Sequence, residues 1–152
     1  MTPQKARTAV AARIARIDRQ RFNEIVAAGH YPCAPKTTKG ASRVFGVDDL
    51  IALFLFARLA EHGFAPANAG QVACLVRSQL TNEGSADETF VCIARAVNGA
   101  TFAALGSKIN ADASRFSELP ILYTTKYHIP NIREIVLAGL AEEAGIIGED
   151  DE

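Results

Sequence analysis

Residues 8–29 read TAVAARIARIDRQRFNEIVAAG, and this stretch decides the fold. Over residues 8–15, Val10 and Ile14 stand four apart among alanines, the spacing of one face of a short helix. Asp18 then offers a side-chain oxygen to cap a second helix, which runs to about Ala28 and meets a glycine stop at Gly29. On that second helix Phe22, Ile25 and Val26 form an apolar stripe. The opposite face carries Gln20, Asn23, Glu24 and Ala27, flanked by Arg19 and Arg21. Gln and Asn can pair bidentately with adenine, Arg with guanine, and Glu can accept from cytosine, so this face suits a major groove. Arg19, Gln20, Asn23 and Glu24 are the candidate base contacts, and Arg16 and Arg21 the candidate backbone contacts.

Working outward, Pro32 and Pro35 exclude helix from the stretch between His30 and Gly40. Ala41 to Phe45 suits a strand, which predicts a small hairpin across Lys36–Gly40. Lys36 and Lys39 then stand at its tip and Arg43 on its return strand, a basic ribbon for the phosphate backbone and minor groove. A third helix is expected from Asp48 or Asp49 to His62, stopped by Gly63. It is apolar nearly all round through Leu50, Leu53, Phe54, Leu55 and Phe56, as a buried spine is. A fourth starts near Pro66 and reaches about Leu80. Residues 81–87, TNEGSAD, read as a linker.

Charge is divided along the chain. Residues 1–43 hold nine Lys and Arg against Asp18 and Glu24, a net of +7, whereas the remainder carries −8 and the whole −1. A positive potential concentrated at one end is what a polyanion-binding surface needs. The acidic end, Glu149-Asp150-Asp151-Glu152, reads as a solvated tail.

Several motifs occur in a telling order: Ile17 to Gly29, then Gly40, Arg43-Val44-Phe45-Gly46-Val47-Asp48-Asp49-Leu50, then Leu53, Arg58-Leu59, Glu61 and Gly63-Phe64. Together they resemble the DNA-binding domain of MerR-type regulators over roughly residues 8–76. The resemblance implies a winged helix-turn-helix. Arg16 stands where that family has a turn glycine, and Glu24-Ile25 where it has an aromatic pair. The family's long dimerising helix has no counterpart here, nor does the cysteine pattern of its metal-sensing members.

The second half changes character. Thr89 to Val97 is rich in β-formers and runs into Asn98-Gly99, a favoured two-residue hairpin turn. Ala100 to Leu105 reads either as the return strand or as helix. Ile121 to His128 reads as a strand, with Tyr123, Tyr127 and His128 either on its packing face or lining a ligand pocket. Pro130 to Ala144 is an amphipathic helix carrying Ile132, Ile135, Val136 and Leu140, with Gly145 as its stop.

These readings give an α+β chain, mainly α, with a DNA-binding domain over residues 1–80 and a linker over 81–87. A small α+β module for dimerisation or partner binding occupies 88–147, and an acidic tail 148–152. The helix over 130–145 is the expected dimer contact. Cys33, Cys74 and Cys92 are far apart and odd in number, so neither a disulfide framework nor a metal site is expected. No nucleophile, phosphate-binding or metalloprotease motif occurs, so no enzyme activity and no cofactor are expected. No apolar run approaches the ~20 residues of a membrane span, and a cytoplasmic location is expected. The functional expectation is a sequence-specific transcriptional regulator binding double-stranded DNA as a homodimer. The alternatives are an architectural, excisionase-like or phage-type DNA-binding protein, and an antitoxin-like adaptor acting through its acidic half.

Overall fold

Three helices in the first half end by one backbone device. The computed structural model describes residues 5–37, 43–83, 90–106, 114–116 and 118–144. Helix α1 (Thr8–Ala15) ends where Arg16 turns left-handed, at φ 59°. There the Arg16 N–H donates to the Arg13 carbonyl at 3.2 Å and the Ile17 N–H to the Ala12 carbonyl at 3.0 Å. Helix α2 (Arg19–Ala27) closes in the same way at Gly29, and α3 (Val47–Glu61) at Gly63. Each reversal aims two N–H groups back at last-turn carbonyls that lack helical partners. As expected, Asp18 caps α2, its Oδ2 accepting from the Arg21 N–H at 2.9 Å.

The first sheet is a two-stranded ribbon, and its pairing differs from the sequence expectation. Strand β1 (Lys5–Arg7) pairs antiparallel with β2 (Val44–Gly46), placing Ala6 opposite Phe45. Among the described residues, β2 therefore joins the start of the chain and not a strand across Lys36–Gly40. Burial explains the choice, because this register puts Ala6 and Phe45 together in the core. Residues 38–42 of the expected hairpin, Lys39 and Gly40 included, lie outside the described residues.

Helix α4 (Pro66–Glu83) runs past Leu80, so the first three residues of the expected linker are helical; 84–87 lie outside the described residues. Strands β3 (Val91–Ala96), β4 (Thr101–Leu105), β5 (Arg115–Phe116) and β6 (Leu119–Tyr127) form an antiparallel sheet in the order β4-β3-β6-β5. Residues 101–105, ambiguous in sequence, are strand because their backbone pairs with β3 from Val91 to Arg95. The turn between β3 and β4 holds three residues, not two. The Ala96 N–H donates to the Ala100 carbonyl, and Gly99 takes φ 90°, the left-handed position of a bulged hairpin.

Helix α5 (Ile129–Ala144) lies against α1 and α3. Ile129, Ile132, Val136 and Leu140 fall on one stripe and are buried. Ile135, expected among them, lies off that stripe and is 42% exposed. The apolar face expected to meet a second copy thus covers the chain's own core. Gly139 allows the approach to α1, since a Cβ there would stand 2.9 Å from Ile14 Cγ1. The Arg13 guanidinium closes this contact with two hydrogen bonds to the Glu143 carboxylate, at 2.9 and 3.1 Å.

One apolar cluster runs through both halves, from Ala11, Phe22 and Leu53 to Val91, Ile93, Ile129 and Val136. Helix α3 is its axis, with Leu50 through Ala57 and Leu59 all buried. A smaller cluster of Cys92, Ala94 and Ala104 lies on the other face of β3, as strand alternation requires. The His62 ring at the end of α3 stacks on Tyr127 of β6, with Nδ1 2.6 Å from the tyrosine hydroxyl. The described residues thus form an α+β fold of five helices and two antiparallel sheets. Among them, no helix is long and apolar enough to cross a membrane.

Candidate nucleic-acid interface

The turn between α1 and α2 is held from beneath. Arg16 occupies the left-handed position that favours glycine, and Arg58 of α3 supports it. Arg58 Nη2 donates to the Ala15 carbonyl at 2.9 Å and the Arg16 carbonyl at 3.3 Å. The same guanidinium lies 4.7 Å from the centre of the Phe54 ring and pairs with Glu61 at 3.1 Å. A cation over two carbonyls at the end of α1 satisfies acceptors without helical partners and complements the negative end of the helix dipole.

Helix α2 stands on a row of rings. Phe22 is fully buried, 5.9 Å from Phe45 and 5.6 Å from Tyr31, whose ring is in turn 5.1 Å from Phe56. With Phe22 and Ile25 inward, Arg19, Gln20, Arg21, Asn23, Glu24 and Ala27 are exposed, as the periodicity predicts. Burial pushes the Tyr31 hydroxyl far above the ordinary phenol value, the Asp49 carboxylate pushes it further, and Arg77 partly offsets the two.

The β1–β2 ribbon, joined to α2 through the Phe45–Phe22 contact, adds cations not singled out from sequence. Lys5 and Arg7 alternate with buried Ala6 and are exposed. The local signal was present in the alternation Lys5-Ala6-Arg7, but only the structure pairs it with β2, whose Phe45 packs on Phe22 of α2. The start of α3 anchors this ribbon. Asp49 Oδ2 accepts from the Gly46 N–H at 2.8 Å, while Oδ1 accepts from Arg77 Nε at 2.6 Å. Arg77 also donates to the Thr81 hydroxyl.

The remaining candidates divide. Arg16 and Lys36 are exposed. Arg43 is half-buried and donates to the Pro35 carbonyl, so it ties the two ends of the 36–42 stretch together instead of projecting from a strand. Lys39 lies outside the described residues. Lys5, Arg7, Arg16, Arg19, Arg21 and Lys36 are all exposed along this part of the chain, where the acids are Asp18, engaged as a cap, and Glu24.

The cysteines depart from expectation. Cys33 and Cys74 form a disulfide, with Cα atoms 5.4 Å apart across a separation of 41 residues. Their distance in sequence concealed it, because only the passage of α4 along the 30–34 segment, with Gly70 at His30 and Cys74 at Cys33, brings them together. Gly70 makes that approach possible: a Cβ there would lie 1.7 Å from the His30 carbonyl oxygen. Cys92 is free and buried, and burial raises its thiol pKa against a smaller lowering from Lys126.

Among the described residues, no group of three or more His, Cys, Asp or Glu could hold a metal ion. A scan of protein-family models gives no match to the chain, and a comparison with curated proteins gives none either.

Proposed function

We propose that the chain is a sequence-specific DNA-binding transcriptional regulator of winged helix-turn-helix type, related in design to MerR-type regulators and acting as a homodimer. One observation carries the reading. The exposed face of α2 bears Arg19, Gln20, Asn23 and Glu24 while its other face is fixed by Phe22, which packs on Phe45 of the β1–β2 ribbon, where Lys5 and Arg7 are exposed. A rigid helix with a polar, protruding face is the element that enters a major groove. In this reading α2 reads base edges, while Arg16, Arg21, Lys36, Lys5 and Arg7 bind phosphates. Arg43 acts through Pro35, by holding the wing segment, and does not itself meet the DNA.

A single helix and ribbon make few base contacts, so two copies on paired half-sites are needed for a specific site. Since the apolar stripe of α5 is buried, the second copy meets another surface.

The test is selection of bound duplexes from a random pool, followed by salt titrations of the winner. Alanine at Arg19, Gln20 and Asn23 should abolish the preference for the selected site. Alanine at Lys5 and Arg7 should weaken all duplexes alike and lower the salt slope by roughly two. Absence of salt-dependent binding to any duplex refutes the proposal. An extended footprint with no preferred site replaces it with an architectural role.

A further inference from the structure

We propose that the Cys33–Cys74 disulfide is a reversible redox latch on the segment that leads into the wing; its link to DNA affinity rests on the function proposed above. The segment has two buried anchors upstream of the latch and only partly buried, non-covalent contacts beyond it. The Tyr31 ring is buried against Phe22 and Phe56, and the His30 carbonyl is packed on Gly70. After Cys33, Ala34 packs on the edge of the core and its N–H donates to the Tyr31 carbonyl, and Arg43 donates to the Pro35 carbonyl. Lys36 follows, exposed. The bond to α4 is therefore the last covalent hold before the basic stretch.

Both sulfur-bearing residues are only partly buried, so an exchanging thiol can reach them. The surroundings also set the direction of attack. The Cys33 N–H donates to Cys74 Sγ at 3.2 Å, and such a donor stabilises a thiolate on Cys74. In thiol–disulfide exchange the sulfur leaving as the more stable thiolate leaves faster. A dithiol reductant therefore attacks Cys33 Sγ, forming a mixed disulfide there and expelling Cys74 as the thiolate. The second thiol of the reductant then displaces Cys33. Two electrons pass to the protein, the reductant becomes a disulfide, and its two protons end on Cys33 and Cys74. Cys92 takes no part, being buried on the far face of β3.

The consequence is local. With Tyr31 still seated, reduction frees residues 32–37 and leaves α2 in place. Re-ordering a backbone residue on binding costs about the free energy of a tenfold change in affinity. With residues 32–37 released, the reduced protein should thus bind DNA at least about tenfold more weakly.

The experiment uses the full chain, oxidised or treated with a dithiol, in two arms. The first is a trypsin pulse, followed by complete reduction and mass analysis. Cleavage after Lys36 should be about tenfold faster in the reduced protein, with cleavage after other exposed basic residues unchanged. Cys33→Ser and Cys74→Ser should match the reduced protein whether or not the dithiol is present. The second arm titrates a fluorescein-labelled duplex of mixed sequence into the same samples.

Equal cleavage after Lys36 in the two redox states overturns the latch, whatever the DNA does. So does a denatured oxidised sample that shows three free thiols instead of the single Cys92. If cleavage changes but the affinity does not, the latch has no control over DNA and the proposal falls. If cleavage changes while neither state binds any duplex, the latch stands and the DNA-binding function fails. A first mixed disulfide on Cys74 instead of Cys33 overturns the direction of attack.

Discussion

Replacing Gly70 by alanine tests the central contact of the structure, the approach of α4 to the 30–34 segment. A Cβ at Gly70 would lie 1.7 Å from the His30 carbonyl oxygen and 2.9 Å from its carbon. Both partners are backbone, so no side-chain rotation relieves the clash. Either α4 or the segment must move by about 1.5 Å to restore van der Waals contact. Such a shift pulls on Tyr31, held between Phe22 and Phe56, and on Cys33, tethered to Cys74 one turn further along α4. Overpacking of a rigid site costs about 1–3 kcal/mol, and this overlap belongs at the upper end. Against it, alanine favours a helix interior over glycine by about 1 kcal/mol. The net expectation is a loss of about 2 kcal/mol, read as a lower urea midpoint at unchanged slope. Gly139→Ala provides the comparison. There the Cβ meets the Ile14 side chain at 2.9 Å, and a side chain can yield, so the two effects nearly cancel. If Gly70→Ala is as stable as the parent, or more so, the packing of α4 on residues 30–31 is wrong, and the setting of the disulfide with it.

Other expectations follow from single contacts. Arg58→Met removes both donors from the Ala15 and Arg16 carbonyls while keeping the aliphatic stem, and should cost about 2 kcal/mol by thermal denaturation; an unchanged midpoint removes Arg58 as the buttress of the turn. Arg16→Gly relieves a left-handed arginine and should stabilise by about 0.5–1 kcal/mol while weakening binding to every duplex, and a destabilised variant refutes the strain. The Tyr31 proton is held more tightly in the folded than in the unfolded chain, so its contribution is complete below the unfolded phenol value of 10.0. Above that pH the unfolded chain ionises first and stability falls. Tyr31→Phe should flatten this alkaline loss in denaturation measured across that range, and an unaltered slope assigns it to other groups.

Local pattern carried much of the fold into view. Helices α1 to α5 follow from apolar spacing, from the Asp18 cap and from the glycines at 29 and 63, because each depends on residues within a turn or two. The outward face of α2 was legible for the same reason: Phe22 and Ile25 fix which side is buried, and Arg19, Gln20, Asn23 and Glu24 take the other. The β3–β4 hairpin was legible from its β-rich run and its glycine, although the turn holds one residue more than Asn98-Gly99 alone indicates.

Pairings distant in sequence were not legible. Nothing near Val44 says that its strand partner is Arg7, and nothing near Cys33 says that Cys74 lies 5.4 Å away across their Cα atoms. Both depend on how α3 and α4 turn back along the earlier chain. The role of Arg43 was likewise hidden, since its partner is a carbonyl eight residues back in a segment without regular structure. The amphipathic stripe of α5 announced that it would be covered, but not by what. Hydrophobic burial carries no address, so a stripe fit for a second copy serves as well against α1 and α3, and only the assembled fold selects between them.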